Sequence, residues 1–147
     1  NGIKLHLIGG LQTNKVKLAV NLFDYIHSVD SEKLAKKIFD EQQKQKKKVK
    51  IFIQVNIGDE HQKSGVNKSS VSDLYSYCKT LDLDVVGLMC IPPLEKPSNI
   101  FFKEMSILNK NLNFDELSMG MSSDYLDAIK NSATYVRIGS NIFGQRS

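Results

Sequence analysis

Short apolar, β-branched runs alternate along this chain with segments of helical periodicity. The runs are almost continuous in apolar residues, which is typical of parallel strands covered on both faces. Asp30 and Ser31 are candidate N-caps for the second helix, with Glu32 in its first turn. The pattern predicts strands at residues 3–8, 25–29, 51–57, 85–91, 117–121 and 135–138, and helices at residues 15–23, 31–45, 69–80, 99–108 and 124–131.

This alternation favours a parallel α/β protein, and two arrangements fit it. One is an open, doubly wound sheet, and the other is a (β/α)₈ barrel that lacks its first two β/α units. A complete barrel needs roughly 200 residues or more, so the 147 residues of this chain cannot close one alone. Periodicity leaves both arrangements open. We expect residues 1–147 to form a single domain.

Composition and charge limit the classes of partner that this chain is expected to bind. The chain is 41% hydrophobic with a net charge of +4, and five of its basic residues form one run, Lys44, Lys46, Lys47, Lys48 and Lys50. Since no aromatic residue is interleaved with these lysines, we predict no nucleic-acid partner. No apolar window is long enough to cross a membrane, and no secretory signal is recognisable. The chain starts without Met, so we expect it to be part of a longer one.

The two cysteines, Cys78 and Cys90, fit no zinc-binding spacing. Cys78 falls in a helical pattern and Cys90 in a strand pattern, so we expect both thiols to be reduced and buried. Reduced cysteines favour a cytoplasmic location. We predict no metal site.

Polar residues gather where the predicted strands end, which is where both arrangements bind ligands. Ser122 and Ser123 precede a helix, and such a position favours an anion site. Gly139 and Ser140 offer a second cluster of donors after the last strand. The alternative is that the two serines only cap a helix and that Gly139 only ends a strand.

Two residues inside apolar runs also require an explanation. Arg137 is one of only two arginines, and a charge in a strand needs a partner. That partner is either a structural carboxylate or a ligand at the strand ends. His6 is flanked by leucines, and we interpret it as a core histidine. No Gly-x-Gly-x-x-Gly turn or Walker loop is present, which disfavours dinucleotide and nucleoside triphosphate binding.

Five segments, in order, carry a resemblance to a known family. They are residues 6–15, which read His-Leu-Ile-Gly-Gly-Leu-Gln-Thr-Asn-Lys, and residues 54–65, 87–92, 117–124 and 136–146. The chain thereby resembles, over essentially its whole length, the pyridoxal phosphate homeostasis protein family, which is similar to the barrel domain of alanine racemase. The resemblance implies a partial (β/α)₈ TIM barrel that contains strands 3 to 8 and lacks the first two units.

The same resemblance implies a ligand and a role for the strand-end residues. Members bind pyridoxal 5′-phosphate (PLP) and act in vitamin B6 homeostasis, with no established catalytic reaction and hence no catalytic residue to assign. Ser122, Gly139 and Ser140 would bind the phosphate. Arg137 would donate to the pyridine nitrogen and keep it unprotonated, which restrains carbanion chemistry. Met121 and His6 would line the pocket.

The resemblance also indicates a departure. In the family, the lysine that bonds PLP covalently lies on the first strand, upstream of the matching region, and none of the 18 lysines here occupies an equivalent position. Two alternatives stay open, a PLP-dependent racemase-like enzyme and a phosphate-binding α/β module unrelated to PLP. A partial barrel has two exposed parallel edges, so we expect self-association.

Overall fold

The strands form one parallel sheet whose spatial order is the order of the chain. The computed structural model describes residues 2–147 and contains, within them, a six-stranded sheet of order β1-β2-β3-β4-β5-β6 in which every neighbouring pair is parallel. The strands are β1 His6–Leu7, β2 Tyr25–Val29, β3 Lys50–Gln54, β4 Asp84–Met89, β5 Glu116–Met121 and β6 Tyr135–Arg137. A doubly wound sheet reverses its strand order at a switch point. The sequential order therefore selects the partial barrel.

Helices follow the strands and cover the outer face of the sheet. They are α1 Val16–Leu22, α2 Glu32–Gln45, α3 Val71–Thr80, α4 Ser98–Asn111, α5 Tyr125–Lys130 and α6 Ser140–Phe143, with 3₁₀ turns at Thr13–Lys15 and Lys68–Ser70. The predicted cap of α2 is confirmed, because Ser31 Oγ accepts a hydrogen bond from the Leu34 amide at 3.1 Å. No helix within residues 2–147 has the length and hydrophobicity that crossing a membrane requires.

The boundaries differ from the sequence prediction mainly at the edges of the sheet. β1 is two residues long, where six were predicted, because it pairs only with the start of β2, through Tyr25 and Ile26. Beyond β3 the strand pattern continues only as a single bridge between Val55 and Val66. The sequence prediction missed α6, because four residues are too few to show helical periodicity.

Each strand divides its side chains between a helix-packed face and an inner face. Ile26, Ile51, Ile53, Leu88 and Leu117 are buried in the core between the sheet and the helices. The alternate positions carry aromatic and polar side chains toward the inside of the curved sheet. The rings of the inner face that contact one another belong to His6, Tyr25, His27, Phe52 and Tyr135.

The packing of α5 on the end of β5 depends on a glycine. Gly120, the penultimate residue of β5, has a φ of +101°, and a Cβ there would lie 2.6 Å from the Cβ of Ala128 on α5. Only glycine combines this backbone conformation with so close an approach. Gly120 therefore lets α5 pack directly against the end of β5, and residues 122–124 form the loop between the two elements.

Candidate functional site

A cavity of about 620 Å³ lies at the carboxyl ends of β4, β5 and β6. Its lining includes five of the six side chains or backbone positions predicted from the sequence, namely Met121, Ser122, Arg137, Gly139 and Ser140. The volume is within the usual range of roughly 300–1,000 Å³ for small-molecule sites. The structure thus brings these residues to one place. His6 is not part of this lining and lies on the inner face instead.

Ser122 joins the loops that follow the last two strands. Its Oγ accepts a hydrogen bond from the Asn141 amide at 3.2 Å, and its carbonyl accepts one from Asn141 Nδ2 at 3.1 Å. The Ser122 hydroxyl therefore contacts the first turn of α6, whereas its position in the sequence suggested a cap on α5. The first amides of a helix have no partner within the helix. Gly139 and Ser140, which precede Asn141, also line the cavity.

Asp124 fixes the other side of the same loop. One carboxylate oxygen accepts from the Met121 amide at 2.8 Å, and the other accepts from Ser98 Oγ at 2.7 Å. Asp124 also stands at the N-terminus of α5, where a negative charge is favourable. A carboxylate already occupies this helix end, which disfavours a second anion there.

Arg137 is anchored by two uncharged acceptors. Its Nη1 donates to Ser118 Oγ at 2.7 Å, and its Nη2 donates to the Cys90 carbonyl at 2.9 Å. The described part of the chain places no carboxylate within ion-pair distance of it. A guanidinium has five N–H donors, so donors remain for a ligand. Of the two partners considered from the sequence, the structural carboxylate is therefore not observed.

The Arg137 contacts continue into the inner face of the sheet. Ser118 Oγ lies 2.8 Å from His27 Nδ1, and His27 Nε2 lies 2.9 Å from His6 Nδ1. His27 is buried and stacks on Phe52 with ring centroids 4.2 Å apart, while His6 stacks on Tyr25 at 4.1 Å. One continuous row of polar groups therefore links β1, β2, β5 and β6.

Burial controls the protonation of these groups. Desolvation, with smaller contributions from His6 and Arg137, lowers the pKa of His27 to about 3. Desolvation also lowers the pKa of His6 and of Arg137, the latter opposed by Cys90 and Asp124. Burial raises the pKa of the Cys90 thiol to about 12. Near neutral pH the Cys90 thiol and the His27 imidazole are therefore uncharged. In the row from Arg137 to His6, the positive charge is on Arg137.

Sequence reasoning did not single out Ser118 or His27 as parts of the site. Ser118 lies two positions before Gly120 on β5. Because side chains of a strand alternate between its faces, the sequence could have indicated that both residues are on the same face. The pairing of His27 with Ser118 spans 91 residues of sequence. Without the register of the sheet, no local pattern reports such a contact. The prediction that both cysteines are unpaired and buried is confirmed.

These features define a class: a half-barrel whose strand ends carry hydroxyl, amide and guanidinium donors around one cavity. The family described as alanine racemase, N-terminal domain, matches residues 1–147. A pyridoxal phosphate homeostasis protein of Aquifex aeolicus is 39% identical over 98% of this chain and 68% of its own length. Its Escherichia coli K12 counterpart is 35% identical over 99% of this chain and 66% of its own length. The chain belongs to the alanine racemase N-terminal-domain family and, within it, to the pyridoxal phosphate homeostasis proteins.

Solved structures agree with this assignment. PipY of Synechococcus elongatus PCC7942, solved with PLP bound, superposes with a TM-score of 0.90 at 31% identity, over 98% of this chain and 72% of PipY. An alanine racemase of Clostridium difficile 630 superposes with a TM-score of 0.75 at 17% identity, over 99% of this chain and 41% of that enzyme, which shows a shared fold. The chain spans about two thirds of the length of its curated relatives.

The buried imidazole predicts how stability depends on pH. The unfolded chain protonates His27 near pH 6.5, whereas the folded chain does so only near pH 3. The unfolded state therefore binds more protons between these values, and the free energy of unfolding falls as the pH is lowered from about 6.5 to 3. This residue contributes at most about 1.4 kcal/mol per pH unit. Urea denaturation at several pH values measures the slope.

The matched variants are His27→Asn, which removes the titrating ring, and His61→Asn, which removes an exposed one. His27→Asn should flatten the slope between pH 6 and pH 4, and His61→Asn should leave it unchanged. Equal slopes for the wild-type chain and His27→Asn would contradict the assignment.

Proposed function

We propose that this chain binds PLP in the cavity at the ends of β4, β5 and β6 and acts in PLP homeostasis without catalysing a reaction. The observation that carries the proposal is the convergence of Ser122, Ser140 and Arg137 on one cavity. Its support from outside the chain is the naming of its relatives as pyridoxal phosphate homeostasis proteins and the PLP bound to PipY.

The phosphate end of PLP fits the donors near α6. Ser122 Oγ accepts a bond from Asn141, so its own hydroxyl proton is free to donate to a phosphate oxygen. Gly139 and Ser140 line the same cavity, and we propose that their amides donate to the phosphate. Hydroxyls and amides at the start of a helix are common phosphate ligands. We assign the phosphate to these three residues, with Met121 at the cavity wall.

The ring end of PLP fits Arg137. Its guanidinium is a donor only and stays protonated near neutral pH, so it binds a pyridine nitrogen that accepts a hydrogen bond and carries no proton. When bound, PLP is an electron sink, and an unprotonated ring is a weaker one. Binding through Arg137 therefore suits a carrier. His6 lies outside the cavity lining and is linked to Arg137 through Ser118 and His27.

We further propose that the chain makes only non-covalent contacts to PLP. None of the cavity-lining residues is a lysine, so no amine of the described residues is placed to bond the aldehyde. The cytoplasm is the proposed location, supported by two cysteines that are free and buried, because disulfides are rare there. We propose that the chain does not bind nucleic acid.

A substitution at the ring end and a substitution at the phosphate end of the site should each weaken PLP binding. Arg137→Lys keeps a charge but loses the planar fork, and Ser122→Ala loses the hydroxyl. Each should raise the dissociation constant for PLP at least about tenfold, since a hydrogen bond to a charged group contributes roughly 1.5–3 kcal/mol. Only Arg137→Lys should also change the absorption spectrum of bound PLP. Ser72→Ala, an exposed serine on α3, is the control and should bind as the wild-type chain does.

Borohydride reduction separates specific binding from random labelling of surface lysines. After incubation with PLP and reduction, peptide mapping should find scattered, low-yield labels. One lysine modified in high yield would show that this chain bonds PLP itself and would contradict the non-covalent proposal. Equal dissociation constants for Arg137→Lys, Ser122→Ala and the wild-type chain would contradict the assignment of the cavity.

The free edges of the sheet support a proposal of self-association. Within residues 2–147, β1 pairs only with β2, and β6 pairs only with β5. Ile3 and Leu5, beside β1, are exposed, and unpaired parallel edges readily pair with another chain. We expect a dimer or larger species in sedimentation velocity, weakened by Leu5→Lys. A monodisperse monomer of 16.6 kDa would overturn this proposal.

A further inference from the structure

We propose that Ser118, His27 and His6 are positioning residues for Arg137, joined to it by a one-way chain of hydrogen bonds in which each donated proton points from the guanidinium toward His6. The contribution of this chain to ligand binding rests on the PLP function proposed above. Its direction, however, is a property of the protein alone and can be measured without PLP.

Four groups form the chain, and all three links are short. Arg137 Nη1 lies 2.7 Å from Ser118 Oγ, Ser118 Oγ lies 2.8 Å from His27 Nδ1, and His27 Nε2 lies 2.9 Å from His6 Nδ1. His27 and Ser118 are both buried. At such distances, in a desolvated interior, each link must have one donor and one acceptor.

The guanidinium fixes the direction. Arg137 can only donate, so Ser118 Oγ accepts from it. The hydroxyl proton of Ser118 then needs its own acceptor, and the unprotonated Nδ1 of His27 is within reach. His27 consequently carries its proton on Nε2 and donates it to His6 Nδ1. His6 in turn carries its proton on Nε2, so both rings are neutral and have the same tautomer.

The opposite direction leaves a proton without a partner. If His27 donated from Nδ1, Ser118 Oγ would accept from both His27 and Arg137, and its hydroxyl proton would be buried with no recorded acceptor. A doubly protonated His27 would have the same fault. The groups that surround His27 are His6, Arg137, Tyr25, Phe52 and Tyr135, and none of them is a carboxylate that would stabilise an imidazolium.

This arrangement orients Arg137 without neutralising it. Ser118 Oγ and the Cys90 carbonyl hold Nη1 and Nη2, so they fix the plane of the guanidinium. Both acceptors are uncharged, and His27 holds the Ser118 hydroxyl in the rotamer that accepts from Arg137. Arg137 therefore keeps its positive charge at the cavity, where Asp124 acts on it without a direct ion pair, whereas an anchoring carboxylate would have cancelled much of that charge.

The direction is tested by long-range ¹H–¹⁵N correlation spectra of the histidine-labelled chain without PLP. We expect His27 and His6 to appear as neutral Nε2–H tautomers at pH 7, with assignments taken from the His27→Asn and His61→Asn variants. A Nδ1–H tautomer or an imidazolium at His27 would overturn the proposal. The tautomers are measured on the wild-type chain, and the two variants serve only to assign its signals.

The positioning role is tested by paired variants. Ser118→Ala and His27→Leu break the chain, whereas Ser118→Thr keeps the hydroxyl and His27→Asn keeps an acceptor for it. We expect the first two to weaken PLP binding about tenfold and to shift the absorption of bound PLP, as Arg137→Lys does, and the second two to restore both. Circular dichroism identifies any variant that does not fold, and the other pair then decides.

The outcomes separate this inference from the proposed function. If Arg137→Lys weakens PLP binding but Ser118→Ala and His27→Leu bind like the wild-type chain, PLP binding stands and the positioning role is wrong. If the wild-type chain does not bind PLP, the proposed function fails, and the tautomers alone decide the direction of the hydrogen-bond chain.

Discussion

The guanidinium of Arg137 places a positive charge at the carboxyl end of β6, and the neighbouring strands supply the hydrogen-bond acceptors that bind it. Burying a charge is costly unless its hydrogen bonds are satisfied. Here Ser118 Oγ on β5 and the Cys90 carbonyl after β4 satisfy two of them. Removing either acceptor would leave a desolvated donor without a partner. The register of β4, β5 and β6 and the chemistry of the cavity therefore depend on the same contacts.

The remaining strands support this anchor from behind. His27 on β2 lies within hydrogen-bond distance of Ser118, His6 on β1 lies within hydrogen-bond distance of His27, and Phe52 on β3 stacks against His27. Tyr135 on β6 also contacts His6, with ring centroids 5.3 Å apart. Five of the six strands thus contribute side chains to one interior made of aromatic rings and a single row of hydrogen bonds. This interior keeps the two edge strands in contact although they are not paired to each other.

Much of the fold was predictable because strands and helices leave local patterns. β2 was predicted with its observed bounds, and of the two candidate caps of α2, Asp30 and Ser31, the structure shows Ser31. The order of the strands did not follow from periodicity, which does not report which strands are neighbours; the family resemblance predicted the partial barrel, and the sheet confirms it. For the same reason, Ser122 was recognised as a polar residue at a strand end, but its contact with Asn141, 19 residues away, required the structure. The contact between Ser118 and His27 joins residues 91 positions apart and likewise required the structure.

A crystal structure of this chain grown with PLP tests the central claim most directly, because the two ends of the ligand are assigned to different residues. The account predicts the phosphate beside Ser122 Oγ and the amides of Gly139 and Ser140, and the pyridine nitrogen at the guanidinium of Arg137. Arg137 should keep its bonds to Ser118 and Cys90. PLP in the reverse orientation, at another site or absent from the cavity would contradict it.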